Sequence, residues 1–573
     1  MGKYINRQSN YDRFPTNDVS KEFNAFFGYE EIVKEIKQNN ARVICVETYP
    51  GVDDDLLNKL VERLKPDKTI LSIDMFFDTN TLTEKMADNL TDDRVRGKMY
   101  YGTVSEYIDQ EKLSKFKNEV EHFNGSILIY GFASSLITKG DLLVYAELTR
   151  WEIQLRYRKG MPNYKCDNYD EDVLRKYKRG FFIEWRIADK VKFNVFDDID
   201  YYIDTTIVDE PRMVVGEGIR YALNELSKRP FRLVPYFDPG VWGGQWMKEV
   251  CNLDPNEKNY AWSFDGVPEE NSLRFRFNEV VVETPAMNLV QYRPHNLLGE
   301  KVYGRFGAEF PIRFDFLDTM DGQNLSLQVH PTTKYIHDKF GMPYTQDESY
   351  YILDAKEDGG VFLGLKEGVN PREFIDALKQ AQKTNKFDHE KYINRFHAKK
   401  HDHFLIPAGT IHCSSYNTMV LEISATPYIF TFKLWDWDRL GLDGRPRPIH
   451  IEDGEKVIDY SRTTNWVKDN LVNHFETLRD DEEYKEVKTG LHDLEFIETH
   501  VYTSKNKVKH KTNDTVNVFN LVDGNSAVVE SINNEFDPFV VHYAETFIIP
   551  ASVGEYIIKP IDGEIKYIKA YVR

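Results

Sequence analysis

The sequence predicts a multidomain chain: an N-terminal α/β region, then mainly-β barrels or sandwiches interrupted by one helical insertion. Three observations carry this expectation. At 573 residues the chain exceeds what a single core supports, and about three to four domains are implied. Up to about residue 210, short apolar runs alternate with helix-like stretches. From about residue 230 the chain turns into short β-rich segments punctuated by Pro and Gly.

In the first region, 1–210, ARVICVET, KTILSID, GSILIYGF and DLLVYAEL suit buried parallel strands. DDDLLNKLVERLK and TLTEKMADNL supply amphipathic helices between them, giving a βαβ rhythm. Residues 211–230 read as a linker. The second region, 231–455, opens on PYFDPGVWGGQW and continues through LRFRFNEVVVE, FPIRFDFLD, LSLQVHP, ESYYILDA, GGVFLGLK, HFLIPAGTIH and MVLEISA. One helical insertion near 371–397 begins at PREFIDALKQAQKTNK, with Pro371 at a first-turn position. The third region, 456–573, is again a run of strands, and TFIIPASVGE echoes HFLIPAGTIH, as a duplicated barrel would.

Composition removes several functions. A formal net charge of −19 with no basic tract argues against nucleic-acid binding. No apolar run approaches a membrane span, and the polar start MGKYINRQSNYDRF does not read as a signal peptide. Cys45, Cys166, Cys251 and Cys413 lack metal-like spacing and suit reduced thiols, so a cytoplasmic location is expected. The oligomeric state is left open.

One constellation carries chemistry. LSLQVHP sets Gln328 and His330 two residues apart, on one face of a strand. Glu348 begins the next apolar strand, and His412 follows a Pro-x-Gly turn in HDHFLIPAGTIHC. Two imidazoles, a carboxylate and an amide oxygen suit a divalent ion with an open position. Zn²⁺ is the first expectation, with Fe²⁺, Mn²⁺ or Co²⁺ as alternatives. His337, His389, His397, His401 and His403 read as solvated or locally bonded, and His542 lacks partners, so the third region is expected to be metal-free.

HDHFLIPAGTIH follows the second cupin motif, with His401 in place of its usual first Gly. LSLQVHP with Glu348 resembles the first metal-binding segment of type I mannose-6-phosphate isomerases. PYFDPGVWGGQW, FPIRFDFLDT and KLWDWDRLGLDGRPRPIHI are similar to further segments of that family, over about 231–455, and the C-terminal region fits its second cupin. The resemblance implies cupin barrels and metal-dependent interconversion of an aldose and a ketose phosphate, mannose 6-phosphate to fructose 6-phosphate or a related sugar or sugar phosphate, through proton transfer between C1 and C2. It also implies a catalytic role at the position of Lys433. Arg439 and Ser326 match positions at the substrate end, with Arg439 a catalytic candidate as well.

Three positions depart from the pattern. Asp315 and Gln346 stand where the family has Lys, and Lys433 stands where it has Arg. An added carboxylate at Asp315 would repel a phosphate dianion, and Lys433 keeps charge without the planar fork. A non-canonical sugar or sugar phosphate, or weak turnover of mannose 6-phosphate, is one reading. A decayed sugar-phosphate sensor that keeps its metal ligands is the alternative.

VICVETYPGVDDDLL sits where a P-loop would follow a first strand, but Pro50 removes an amide, the Gly-Lys-Ser/Thr ending becomes Val52-Asp53-Asp54, and the acids Asp53 to Asp55 at the helix start are hostile to triphosphate. SIDMFFDT around Asp74, LIYGFASSL around Tyr130, the Arg-rich LTRWEIQLRYRKG and IDYYIDTT resemble pieces of the uridine kinase and phosphoribulokinase group. The resemblance implies a kinase-like domain without a working nucleotide site. An unrelated α/β packing domain is the competing reading.

Overall fold

A computed structural model describes residues 2–425, 428, 430–442, 444, 447–490 and 492–573. Asp443, Arg445 and Pro446, part of the resemblance segment above, lie outside the described residues. The chain divides into two compact units, one of residues 16–226 with 272–292, the other of 1–15, 227–271 and 293–573. Among the described residues, no helix is long and apolar enough to cross a membrane.

The first unit is α/β. Its parallel strands are β1 (Val43–Thr48), β2 (Lys68–Leu71), β3 (Ile127–Gly131), β4 (Leu142–Glu147) and β5 (Tyr201–Asp204). They lie in the order β2-β3-β1-β4-β5, and antiparallel strands Arg212–Val215 and Ala25–Phe27 extend the sheet beyond β5. Apolar side chains such as Val46, Leu128 and Val144 pack under the helices Gly28–Gln38 and Asp54–Leu64. The expected βαβ reading therefore corresponds to a real parallel sheet.

Asp53 caps the Asp54–Leu64 helix by accepting from the Asp55 amide at 2.9 Å. Asp53→Ala is expected to cost this unit about 1 kcal/mol, read as a lower urea midpoint with unchanged slope. The turn before the cap is filled by the protein itself. Arg156 donates to the Gly51 carbonyl at 2.9 Å, and a Cβ on Gly51 would meet the Ile153 side chain. Arg150, in the segment expected as an Arg-rich lid, is buried against Asp189.

Two boundaries differ from expectation. Residues 211–230 are largely structured, holding the strand Arg212–Val215 and the helix Gly216–Leu226. Residues 272–292 belong with the α/β unit. Ser272–Phe277 and Val280–Pro285 form a hairpin closed by Asn278 at φ +52°, and the first strand pairs in parallel with Thr16–Asp18. Thr284 anchors the hairpin through the buried Tyr202 hydroxyl at 2.8 Å, an attachment no periodicity signals.

The second unit is largely β. One six-stranded and one five-stranded antiparallel sheet are built from residues 236–435. The strands that matter below are β6 (Arg313–Asp318), β7 (Leu327–Val329), β8 (Asp347–Ala355), β9 (His412–Ser414), β10 (Thr418–Ala425) and β11 (Phe432–Trp435). β8, β10 and β6 are consecutive neighbours in the six-stranded sheet, and β9, β7 and β11 in the five-stranded one. The expected helix is present at Pro371–Thr384, with Pro at its start and Asn370 capping the amides of Arg372 and Glu373.

His403 corrects an expectation: it is fully buried, with both ring nitrogens unpartnered, and burial drives its pKa down to about 3. Its strand lies opposite β8, and the ring packs edge-on to Tyr351 at 5.5 Å.

Residues 476–572 form a second pair of sheets, six- and four-stranded, around Phe519, Phe547, Tyr556 and Tyr567. On one face His500 bridges two carboxylates, Nδ1 to Glu486 and Nε2 to Glu498, each at 2.8 Å. Burial alone lowers the His500 pKa, but the two carboxylates outweigh it and raise it. Glu498 is held at about 2, chiefly by its hydrogen bond from His500. A depressed carboxylate stabilises above its ordinary pKa and loses that contribution as pH falls toward about 2. A raised imidazole stabilises below its ordinary pKa and loses that contribution as pH rises through the folded value. Thermal melts across pH should therefore lose stability at both ends, and His500→Gln is expected to flatten the alkaline limb.

Candidate metal centre

The centre is assembled from both sheets. Along β7 and its approach, alternation puts Ser326, Gln328 and His330 on one side while Leu327 and Val329 enter the core. Gln328 stands in register with His412 of β9 on one flank and Lys433 of β11 on the other. The Pro407–Gly409 turn that delivers His412 requires Gly409 at φ +90°, where its amide reaches the His330 carbonyl at 3.0 Å. Glu348 comes from β8 in the opposite sheet.

These side chains converge. His412 Nε2 is 2.8 Å from Glu348 Oε1, and His330 Nε2 is 3.0 Å from Glu348 Oε2, all fully buried. The Gln328 amide nitrogen lies 3.2 Å from His412 Nε2. Each imidazole is oriented by a main-chain carbonyl, His330 Nδ1 by Phe430 at 2.9 Å and His412 Nδ1 by Thr410 at 2.9 Å. With Nδ1–H donating to those carbonyls, both Nε2 lone pairs face the centre. Burial raises the pKa of Glu348, but the adjacent His330 and His412 outweigh it and hold the group well below the usual range.

The donor set fits a cation. His330 Nε2 and Glu348 Oε1 are buried without a hydrogen-bond partner despite their short separations, as expected of atoms aimed at a shared point rather than at each other. The ligand atoms of His330, Glu348 and His412 all lie within 4.8 Å of one another, the only such group among the described residues. Two imidazole nitrogens with a carboxylate match Zn²⁺, and also Fe²⁺, Mn²⁺ or Co²⁺.

Gln346, one of the three departures, has a position-specific role. Its amide donates to Glu348 Oε2 at 2.9 Å, and its carbonyl accepts from the Phe430 amide at 3.3 Å. It thus ties the carboxylate to the segment that orients His330. Gln346→Ala is expected to weaken metal affinity about 10–100-fold with the fold intact, read by competition with a chromogenic chelator.

Ser326 and Arg439 come together on one carboxylate, that of Asp436. Asp436 accepts from the Ser326 hydroxyl at 2.8 Å and from Arg439 Nη2 at 2.7 Å, and it pairs with Arg447 at 2.8 Å. Arg439 also donates to the carbonyls of Asn324 and Asp436. Arg447 and Asp436 were not singled out by the sequence. Asp436 lies in WDWDR, where a carboxylate between two tryptophans offered the only signal.

Asp315 reads differently in its setting. It is buried, opposite Glu422 of β10, which is in turn opposite Tyr350 of β8. Burial pushes Asp315 up to about 7, with Arg313 opposing and Glu270 and Glu348 adding to the rise. Burial likewise raises Glu422, with Glu348 and Asp315 contributing. Glu422 and Tyr350 went unnoticed in the sequence, although Glu422 is the one charge in the apolar run MVLEISA.

Residues 28–228 match a family profile described as a domain of unknown function, DUF8485. The chain is similar to the mannose-6-phosphate isomerase ManA of Bacillus subtilis strain 168, 24% identical over 238 residues, or 41% of this chain and 69% of that protein. It is also similar to the mannose-6-phosphate isomerase of Streptococcus mutans serotype c, 27% identical over 228 residues, or 39% of this chain and 66% of that one. The crystal structure of the mannose 6-phosphate isomerase from Bacillus subtilis aligns with 60% of this chain and 100% of its own, at 17% identity and a TM-score of 0.49. Homology to these isomerases thus covers part of the chain.

Proposed function

We propose that the chain is a metal-dependent aldose–ketose isomerase of the mannose-6-phosphate isomerase type, acting at the centre formed by Gln328, His330, Glu348 and His412 within a cupin-like barrel. The observation that carries this is the convergence of two carbonyl-oriented imidazoles and Glu348 on one buried point. A 180° rotation of the Gln328 amide would present its oxygen to the same point and complete an N₂O₂ donor set. Homology to isomerases over this part of the chain supports the reaction class.

When bound, the ion supplies Lewis-acid polarisation of substrate oxygens during enolisation. The remaining work falls to the chain. Glu348 supplies the ligand charge, and Gln346 holds its orientation. Lys433, whose register with Gln328 supports the reading, would offset negative charge developing on a substrate oxygen. Arg439 and Ser326, joined through Asp436, form a stiff rim at the substrate end.

The test is proton exchange. The Zn²⁺-loaded protein, incubated in D₂O with candidate sugars and sugar phosphates, is expected to wash deuterium into the carbon next to the carbonyl, seen by NMR. Full metal occupancy with no exchange on any of them would favour the sensor reading.

The α/β unit is proposed as a kinase-like domain without nucleotide binding. The strand order β2-β3-β1-β4-β5 and the Asp53 cap in place of phosphate-binding residues support it. Calorimetric titration with Mg²⁺–ATP is expected to be flat, and micromolar binding would contradict it.

A further inference from the structure

The inner face of the six-stranded sheet holds a second set of polar groups that metal ligation does not use. Asp315, Glu422 and Tyr350 lie side by side across β6, β10 and β8. In the next row lie Arg313, Ser424 and Glu348. All six are buried. Asp315 Oδ1 has no hydrogen-bond partner, while the Tyr350 hydroxyl lies against Glu348 and the Ser424 hydroxyl against Glu422, and each residue is less than a tenth exposed. The Tyr350 ring meets that of His412 edge-on at 5.8 Å, which puts these groups beside the centre. Buried polar atoms left without partners in a folded protein call for a ligand that completes them.

We propose that Asp315, Glu422 and Tyr350 form a hydroxyl-binding subsite, and that the sugar handled at this centre is neutral and unphosphorylated. This rests on the isomerase reading and names its substrate class.

Carboxyl and phenol groups in a row bind a polyol well, since each sugar hydroxyl both donates and accepts. They bind a phosphate dianion poorly. Such a group would carry its charge into a buried row where Arg313 is the cation and Glu348 an added negative charge, and low dielectric magnifies both its desolvation cost and that repulsion. The distance suits a sugar. Asp315 lies two strands across and two residues along from Glu348, roughly 12 Å between backbones and less between side chains. A six-carbon chain held at the centre therefore brings its distal hydroxyls toward this row.

The cationic rim does not offset this. Arg439 donates to the Asn324 carbonyl, the Asp436 carbonyl and the Asp436 carboxylate, and Arg447 pairs with that same carboxylate. Asp436 already holds the acceptor position that a phosphate would need between the two guanidinium groups.

The experiment uses the full-length Zn²⁺-loaded protein and two probes that cannot isomerise, mannitol and mannitol 6-phosphate, titrated calorimetrically. Turnover of mannose and mannose 6-phosphate is measured alongside. Mannitol is expected to bind at least tenfold tighter than its phosphate ester. Asp315→Asn should weaken mannitol at least tenfold at unchanged metal content, and Asp315→Lys should move preference toward the ester. Equal or tighter binding of the ester by the wild-type protein overturns the proposal, as does binding of neither probe. Faster turnover of mannose 6-phosphate overturns the subsite and leaves the isomerase reading standing. Preferential mannitol binding without turnover of any sugar leaves the subsite standing and removes the isomerase.

Discussion

Glu348→Ala is expected to abolish tight metal binding and to reduce isomerase turnover by more than about 100-fold, because it removes the carboxylate shared by both imidazoles. The effect should exceed that of Gln346→Ala, which leaves every central donor in place and only loosens the carboxylate. Circular dichroism of the variant should match the wild type. The flanking strands are held by main-chain pairing that Glu348 does not supply, with β8 in register with β10 through Ala355. Kinetics at saturating added Zn²⁺ separate lost affinity from lost chemistry, and rescue by excess metal would place the effect in binding alone.

The largest stability effect lies in the other unit. Lys192 is buried with its ammonium 2.6 Å from Glu147 and 2.6 Å from the Asn288 side-chain oxygen. Glu147 further accepts from the Tyr202 hydroxyl at 3.0 Å and the Asn288 amide at 2.7 Å. Lys192→Met leaves a carboxylate in a dry interior with neutral donors only, and is expected to cost about 3–5 kcal/mol. Changing Glu147 to Gln in the same chain should recover part of that loss, since the uncompensated charge is then gone. Urea unfolding of the single and double variants reads both values. Additive losses would contradict a coupled pair.

What the sequence made legible follows from periodicity. Alternation of two in LSLQVHP put Gln328 and His330 on one face, and the Pro-x-Gly turn brought His412 to them. The parallel strands of the α/β unit were equally readable, because each is a short apolar run bounded by polar turns. Partners across sheets were less so. Asp315 read as an isolated carboxylate hostile to phosphate, since nothing in FPIRFDFLDT announces that Glu422, more than a hundred residues on, is its register partner. The assignment of 272–292 to the α/β unit was hidden for the same reason, its attachment resting on the Tyr202–Thr284 and Asp204–Glu283 hydrogen bonds. His403 read as polar because charged neighbours surround it in HAKKHDHF, whereas its strand is buried on both faces.

The central claim is that His330, Glu348 and His412, with Gln328, hold one catalytic divalent ion. Elemental analysis by mass spectrometry on protein purified without added metal or chelator, beside His412→Ala prepared identically, tests it most directly. The account predicts about one equivalent of Zn²⁺, Fe²⁺, Mn²⁺ or Co²⁺ in the parent chain and near none in the variant, both folded. A parent chain that stays metal-free even after incubation with each of these ions, or a variant that keeps its full equivalent, would contradict it.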